Sequence, residues 1–227
     1  MSRARSEAGF TLPELIVAMM IGMATVLAVF AILETTMKQS NAVAGRVNAT
    51  QRARIAMDTI TRQLRSQVCY SAVVPALVSG TSNSVRLHVD LSDGSRPIEQ
   101  REIAHDPVAK TVRERVWPGQ GAPLAFPTKT IDRTVLSEMT NAQASDGSTI
   151  PFFRYYAYNL AVPPRPSLLL PTPLSATDAA RVARIEVAFK TMPPGRAPLV
   201  VSGSTLQNEI YVRVADPNDP APTPTCA

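Results

Sequence analysis

From Leu15 to Leu33 the chain reads LIVAMMIGMATVLAVFAIL, a run without a single charge, and no other feature limits the possible folds as strongly. About 20 apolar helical residues are enough to cross the hydrocarbon core of a bilayer. Arg3 and Arg5 precede the run and no comparable segment follows. The positive-inside rule then leaves the short leader in the cytoplasm and sends everything beyond Leu33 outside. The chain holds 20 prolines, yet none lies between Glu14 and Ala72. One uninterrupted helix can therefore begin at the apolar run and continue far into polar sequence.

The flanks separate this run from an ordinary signal peptide. A secretory signal is cut after its apolar region, beside small residues, and Glu34-Thr35-Thr36-Met37 offers no such site. The unusual chemistry lies in front, in Gly9-Phe10-Thr11-Leu12-Pro13-Glu14-Leu15. A carboxylate at bilayer depth costs about 2.5 kcal/mol or more, so Glu14 calls for a cationic partner. This stretch, followed by the apolar run, closely resembles the class III prepilin signal of type IV pilins and type II secretion pseudopilins. The resemblance implies that prepilin peptidase cuts after Gly9 and methylates the new amine of Phe10, while the apolar run remains as anchor and later as filament core. Glu14 would be the fifth residue of the mature chain. Gly9 lets an extended backbone enter a protease cleft. The Phe10 amine stays cationic and can meet the Glu14 carboxylate of a neighbour inside an apolar filament, where an unpaired charge is costly. Pro13 departs from the commoner aliphatic residue but falls in the first helical turn, where its missing N–H has no helical partner in any case.

Beyond the membrane, Glu34 to Val68 repeats apolar residues at helical spacing: Val43, Val47, Ala53, Met57, Ile60, Leu64 and Val68. The opposite face carries Arg52, Arg54, Asp58, Arg62 and Arg65, with Asp58 spaced for i,i+4 pairs to Arg54 and Arg62. A helix from Leu12 to Val68 would be about 85 Å long at 1.5 Å per residue. From Ser84 the period changes to two: Val85, Leu87, Val89 and Leu91 alternate with Arg86, His88 and Asp90, and Ser92-Asp93-Gly94-Ser95 supplies a turn. Further strands are predicted at 97–104, 111–117, 130–136, 152–159, 182–190, 199–202 and 210–215. Pro163-Pro164-Arg165-Pro166 and Pro193-Pro194-Gly195-Arg196 read as turns. The expected fold class is α+β and pilin-like, with a long N-terminal helix packed on an antiparallel β domain. The expected segments are a leader at 1–9, a transmembrane and filament-core helix at 10–33, a soluble stem at 34–69, a β-rich domain at 70–215 and a Pro-rich tail at 216–227.

Arg52 to Arg65, the Val85–Leu91 strand and Pro151-Phe152-Phe153-Arg154-Tyr155 resemble the J-type minor pseudopilins and the related PilW-like minor pilins. That resemblance implies a tip complex with other minor and major pilins or pseudopilins, a membrane assembly platform, and the bilayer as host before assembly. The chain would lie in the cytoplasmic (inner) membrane, single-pass, with its C-terminal domain outside the cytoplasm, and then in an extracytoplasmic filament. Two alternatives stand beside it: a minor pilin of a DNA-uptake (competence) pilus, and a membrane-anchored extracellular binding protein.

Other function classes find less support. The formal charge is +5, but the excess sits on the stem, which carries six basic and two acidic groups between 34 and 68. No aromatic residue interrupts that stretch to stack on bases, which argues against nucleic acid. His88 and Asp90, and His105 beside Asp106, lack a third ligand or a nucleophile and read as exposed strand and turn residues. No P-loop, GxSxG, HExxH or EF-hand pattern occurs. No catalytic residue, metal site or cofactor is expected. Phe152-Phe153-Arg154-Tyr155-Tyr156-Ala157-Tyr158 reads as a strand with one face in the core, in preference to a stacking surface for sugars. Cys69 and Cys226 are the two cysteines. In an oxidising compartment they are candidates for one intramolecular disulfide, with intermolecular pairing or free thiols as the alternatives.

Overall fold

A computed structural model describes residues 11–69, 75–90, 98–159, 165–192 and 203–212. The chain divides into two compact units, Met1–Gly45 and Arg46–Ala227. Helix α1 (Leu12–Arg65) supplies nearly all described residues of the first unit and opens the second. It ends three residues short of the expected Val68. Ser66 N–H bonds back to the carbonyls of Arg62 and Gln63, and Gln67 then leaves the helix to bridge Val89.

Two antiparallel sheets follow within the second unit. The first has the order β1-β2-β3-β4-β5, built from β1 (Leu77–Gly80), β2 (Ser84–Val89), β3 (Glu99–Asp106), β4 (Thr111–Pro118) and β5 (Ile131–Ser137). The second has the order β10-β9-β7-β8, from β7 (Phe153–Asn159), β8 (Arg165–Leu169), β9 (Val182–Thr191) and β10 (Ser204–Tyr211), with the two-residue β6 (Met139–Thr140) also on β9. A short helix α2 (Ala176–Ala180) is capped by Ser175, whose side chain accepts from Asp178 N–H. The arrangement is α+β, a long N-terminal helix packed on antiparallel β-sheets, as the sequence predicts.

One core joins the helix to both sheets. Ala53, Ala56, Met57, Ile60 and Leu64 pack with Val85, Leu87, Ile103 and Val112 of the first sheet and Tyr155, Ile185, Val187 and Phe189 of the second. Polar contacts pin the helix at defined points. Asn208 Nδ2 donates to Thr61 Oγ1 at 2.9 Å, Thr50 and Ser204 hydroxyls lie 2.8 Å apart, and Gln63 Nε2 donates to Glu114 at 2.5 Å. Gly80 admits the ring of Tyr155, since a Cβ there would stand 2.7 Å from Tyr155 Cζ. The buried Tyr155 hydroxyl bonds to the Ser84 carbonyl at 2.9 Å and lies 3.1 Å from that of Thr81.

Several expectations need correction. Val43 and Val47 do not continue the packing face: they are 58% and 55% exposed, and Ala49 takes the buried position instead. Neither Arg54 nor Arg62 forms an ion pair with Asp58 among the described residues. Pro166 lies inside β8, where a turn was expected. The strand is at the end of its sheet, and Pro166 falls where its register with β7 shifts, outside the paired positions, so the missing N–H deprives no ladder. His88 and His105 are buried, at 2% and 5% exposure, and are not surface residues. The predicted strand at 199–202 and the Pro193–Arg196 turn lie outside the described residues, and the last strand runs from Ser204, six residues ahead of the expected start.

Candidate functional site

The helix start is built by Thr11, whose carbonyl accepts from Leu15 N–H at 3.2 Å. Its hydroxyl donates to Glu14 Oε2 at 3.4 Å. Glu14 therefore sits in the first turn, where the exposed N–H groups of the helix end favour a negative charge. Pro13 shares that turn and costs no helical hydrogen bond. Gly9 and Phe10 lie outside the described residues.

From Leu12 onward the large side chains face away from any protein surface. Leu12 is 74% exposed, Met19 69%, Met23 70% and Phe30 65%. The mean hydropathy of the richest window is 2.7, and none of that window is buried within the chain. An apolar surface of this extent on every side of a helix requires lipid or other helices as its solvent. Thr25, Thr35 and Thr36 do not interrupt it, because each hydroxyl donates to a carbonyl three or four residues back. Polar character begins at Glu34, which pairs with Lys38 at 2.6 Å.

The stem beyond carries charges of a different status from those of the sheets. Glu114, 1% exposed, accepts from Gln63, from Arg101 at 2.7 Å and from Arg133 at 2.5 Å. Glu186, 3% exposed, accepts from Tyr156 at 2.9 Å, Gln207 at 2.6 Å and Arg154. Arg184 pairs with Glu209 at 2.6 Å and lies over the Tyr156 ring. Asp132 takes hydrogen bonds from Lys129 and Arg113, which pull its pKa down to about 2. The stem residues Arg46, Arg52, Arg54, Arg62 and Arg65, by contrast, form no ion pair among the described residues. Arg52 Nε is buried without a hydrogen-bond partner among the described residues. It lies in a groove of about 200 Å³ between α1 and β5, lined also by Ile55, Thr134, Val135, Leu136 and Ser137.

The histidines do not assemble a catalytic site. His88 Nδ1 donates to the Pro75 carbonyl at 3.3 Å and Nε2 accepts from Gln100 at 3.1 Å, a neutral tautomer. Phe126 lies against its ring. His105 stacks on Phe152 at 5.2 Å, and neither ring nitrogen has a hydrogen-bond partner among the described residues. Burial lowers both pKa values; the Pro75 hydrogen bond opposes this at His88 and the Asp106 charge opposes it at His105. Among the described residues no group of three His, Cys, Asp or Glu could hold a metal. Phe152, Phe153 and Tyr155 are fully buried, which removes them from any stacking surface. Cys69 is disulfide-bonded; Cys226 lies outside the described residues.

Sequence reasoning singled out Glu14 and the motif around it, and did not single out the groove at Arg52. An arginine with no carboxylate beside it among the described residues shows only in three dimensions, because sequence spacing does not say which acids come to lie near it. No curated protein matches the chain. Residues 4–33 match the family model of the prokaryotic N-terminal methylation motif, a stretch that takes in the Gly9-Phe10 junction, Glu14 and the whole apolar run.

Proposed function

We propose that this chain is a minor pilin or pseudopilin, processed by prepilin peptidase between Gly9 and Phe10 and assembled near the tip of a type II secretion pseudopilus or type IV pilus-like filament. The match over residues 4–33, with Glu14 inside it, carries this reading. The chain is a structural subunit and its activity is assembly. The apolar half of α1 anchors it in the inner membrane as a single pass and later enters the filament, where the Glu14 carboxylate pairs with the methylated amine of a neighbour's first residue. The J-type likeness and the irregular, proline-rich loops support a tip position, where the upper surface of the β part need not repeat along a shaft. Retention of Glu14 puts another subunit above this one. The same likeness supports partners among other minor subunits and an assembly platform in the membrane. Pairing of Cys69 with Cys226 would tie the tail to the end of the stem.

Intact mass of the membrane-extracted protein tests processing: the expected chain begins at N-methyl-Phe10, and a chain retaining Met1 or cut beyond Leu33 rejects the reading. Glu14→Ala is expected to be processed and inserted normally while its incorporation into filaments falls at least tenfold. Wild-type incorporation would remove Glu14 from assembly, and immunogold label spread along the whole shaft would exclude the tip.

A further inference from the structure

Four consecutive residues of β5, Thr134 to Ser137, line the groove beside Arg52. Side chains alternate faces along a strand, so all four can border one space only if that space runs along the strand's edge. β5 ends its sheet, and no described strand pairs with its outer side. The register with β4 shifts between Val112 and Arg113, where Leu136 and Thr134 are the partners and Val135 is skipped. This bulge interrupts the edge, so a long strand cannot zip along it. The groove instead suits a single side chain held from an extended backbone. Ile55, 66% exposed, supplies an apolar wall, and the Arg52 guanidinium has its Nε buried with no acceptor among the described residues.

We propose that this groove receives an acidic side chain from a neighbouring filament subunit, its carboxylate pairing with the Arg52 guanidinium while the adjoining backbone meets the free edge of β5. Charge complementarity carries the choice of occupant. The sheet arginines Arg101, Arg113, Arg133, Arg154 and Arg184 each hold a carboxylate of their own chain. The stem arginines hold none among the described residues, and a carboxylate is the ligand that matches the guanidinium fork in two hydrogen bonds. A groove of about 200 Å³ has room for one such side chain and falls short of the roughly 300 Å³ and more of a typical ligand pocket. The stem offers no aromatic platform for bases, which places phosphate of a nucleic acid behind a carboxylate. The inference rests on the filament-subunit reading and adds to it a second contact, remote in sequence from Glu14.

A photo-crosslinking benzoylphenylalanine at Ser137 of the full-length chain, expressed in its native host, tests the proposal. The expected product is one covalent partner, a different protein with its own N-terminal methylation motif, joined within a few residues of an Asp or Glu. Arg52→Gln is expected to lower the yield at least tenfold and Arg52→Lys less, with the melting temperature of each unchanged. Arg52→Glu combined with arginine at the partner's mapped carboxylate is expected to restore it. A product confined to copies of this chain, to its own Asp216–Asp219 tail or to nucleic acid overturns the proposal. So does a yield that Arg52→Gln leaves intact. Filaments that contain the protein but give no product at Ser137 reject the groove alone, whereas absence of the protein from filaments rejects the subunit reading itself.

Discussion

Glu114 is the residue whose surroundings most limit what it can become. It is 1% exposed, and Gln63, Arg101 and Arg133 converge on it. A carboxylate out of water is tolerable only with its lone pairs satisfied, and here one helix and two strands satisfy them together. Glu114→Ala would leave Arg101, 14% exposed at its side chain, with Glu99 as its remaining counter-charge. The expected loss is about 3–5 kcal/mol, the usual cost of breaking a buried pair from one side, read by denaturant unfolding in detergent. Glu114→Gln keeps the shape and is expected to lose less. The histidines set a pH dependence of definite sign. Both are held neutral by burial, so their folded pKa values lie below the ordinary 6.5. The unfolded chain then binds more protons below about pH 6.5, and stability falls as pH drops from there toward the folded values. Asp132, with its pKa lowered to about 2, contributes stability that is present above about pH 3.9 and lost below it. Melting temperature is therefore expected to be flat from pH 7 to 8, to decline from 6.5 to 5, and to decline again below 4. His105→Leu should shallow the first decline.

Helix α1 shows how one element can serve two environments. Its buried stripe is Ala49, Ala53, Ala56, Met57, Ile60 and Leu64, and Ile60→Ala is expected to cost about 2–5 kcal/mol as a large-to-small change in a packed core. Val43→Ala and Val47→Ala are expected to shift stability by less than about 0.5 kcal/mol, as exposed substitutions do. Thermal melts of the three variants distinguish the packed stripe from the free face. The sequence pattern read the stripe correctly from Ala53 to Leu64 and extended it too far at both ends, to Val43 and to Val68. Val47 lies about 100° around the helix from Leu64, and the residue that continues the stripe is the smaller Ala49. Strands with strict alternation, such as β2 and β4, were legible. β1, β6 and β8 were not, because the first is four residues ending in glycine, the second is two residues, and the third contains Pro166. His105 shares a face with Ile103, two residues away and buried, so period two could have placed it inside. His88 gave no such warning: it alternates with Val85, Leu87 and Val89, and is buried because Phe126 and Pro75 cover it. The motif around Glu14 was legible because its chemistry is local. The Arg52 groove was not, since it depends on where β5 comes to rest.

At the scale of the molecule, the second unit has little tolerance for missing parts. Its core is shared by the helix, the first sheet and the second sheet, so neither sheet has an apolar interior of its own to fall back on. The hydrogen bonds that join Thr50 with Ser204, and Thr61 as acceptor with Asn208 as donor, span 154 and 147 residues. They make the helix, synthesised early, wait for a strand synthesised near the end. The order of synthesis thereby becomes an inspection step. A chain stalled before Ser204 carries its membrane anchor in full, but its stem lacks the strand that bonds to Thr50 and Thr61 and adds Ile210 to the shared core, and the incompletely covered stripe marks it for proteolysis. A stop after Thr191 is expected to give a membrane-inserted product whose steady-state level, by immunoblot, is at least several-fold below that of the complete chain. Only subunits translated to the final strand would present a finished stem to the filament, so the long closure of β10 onto α1 works as a proofreader of chain completeness.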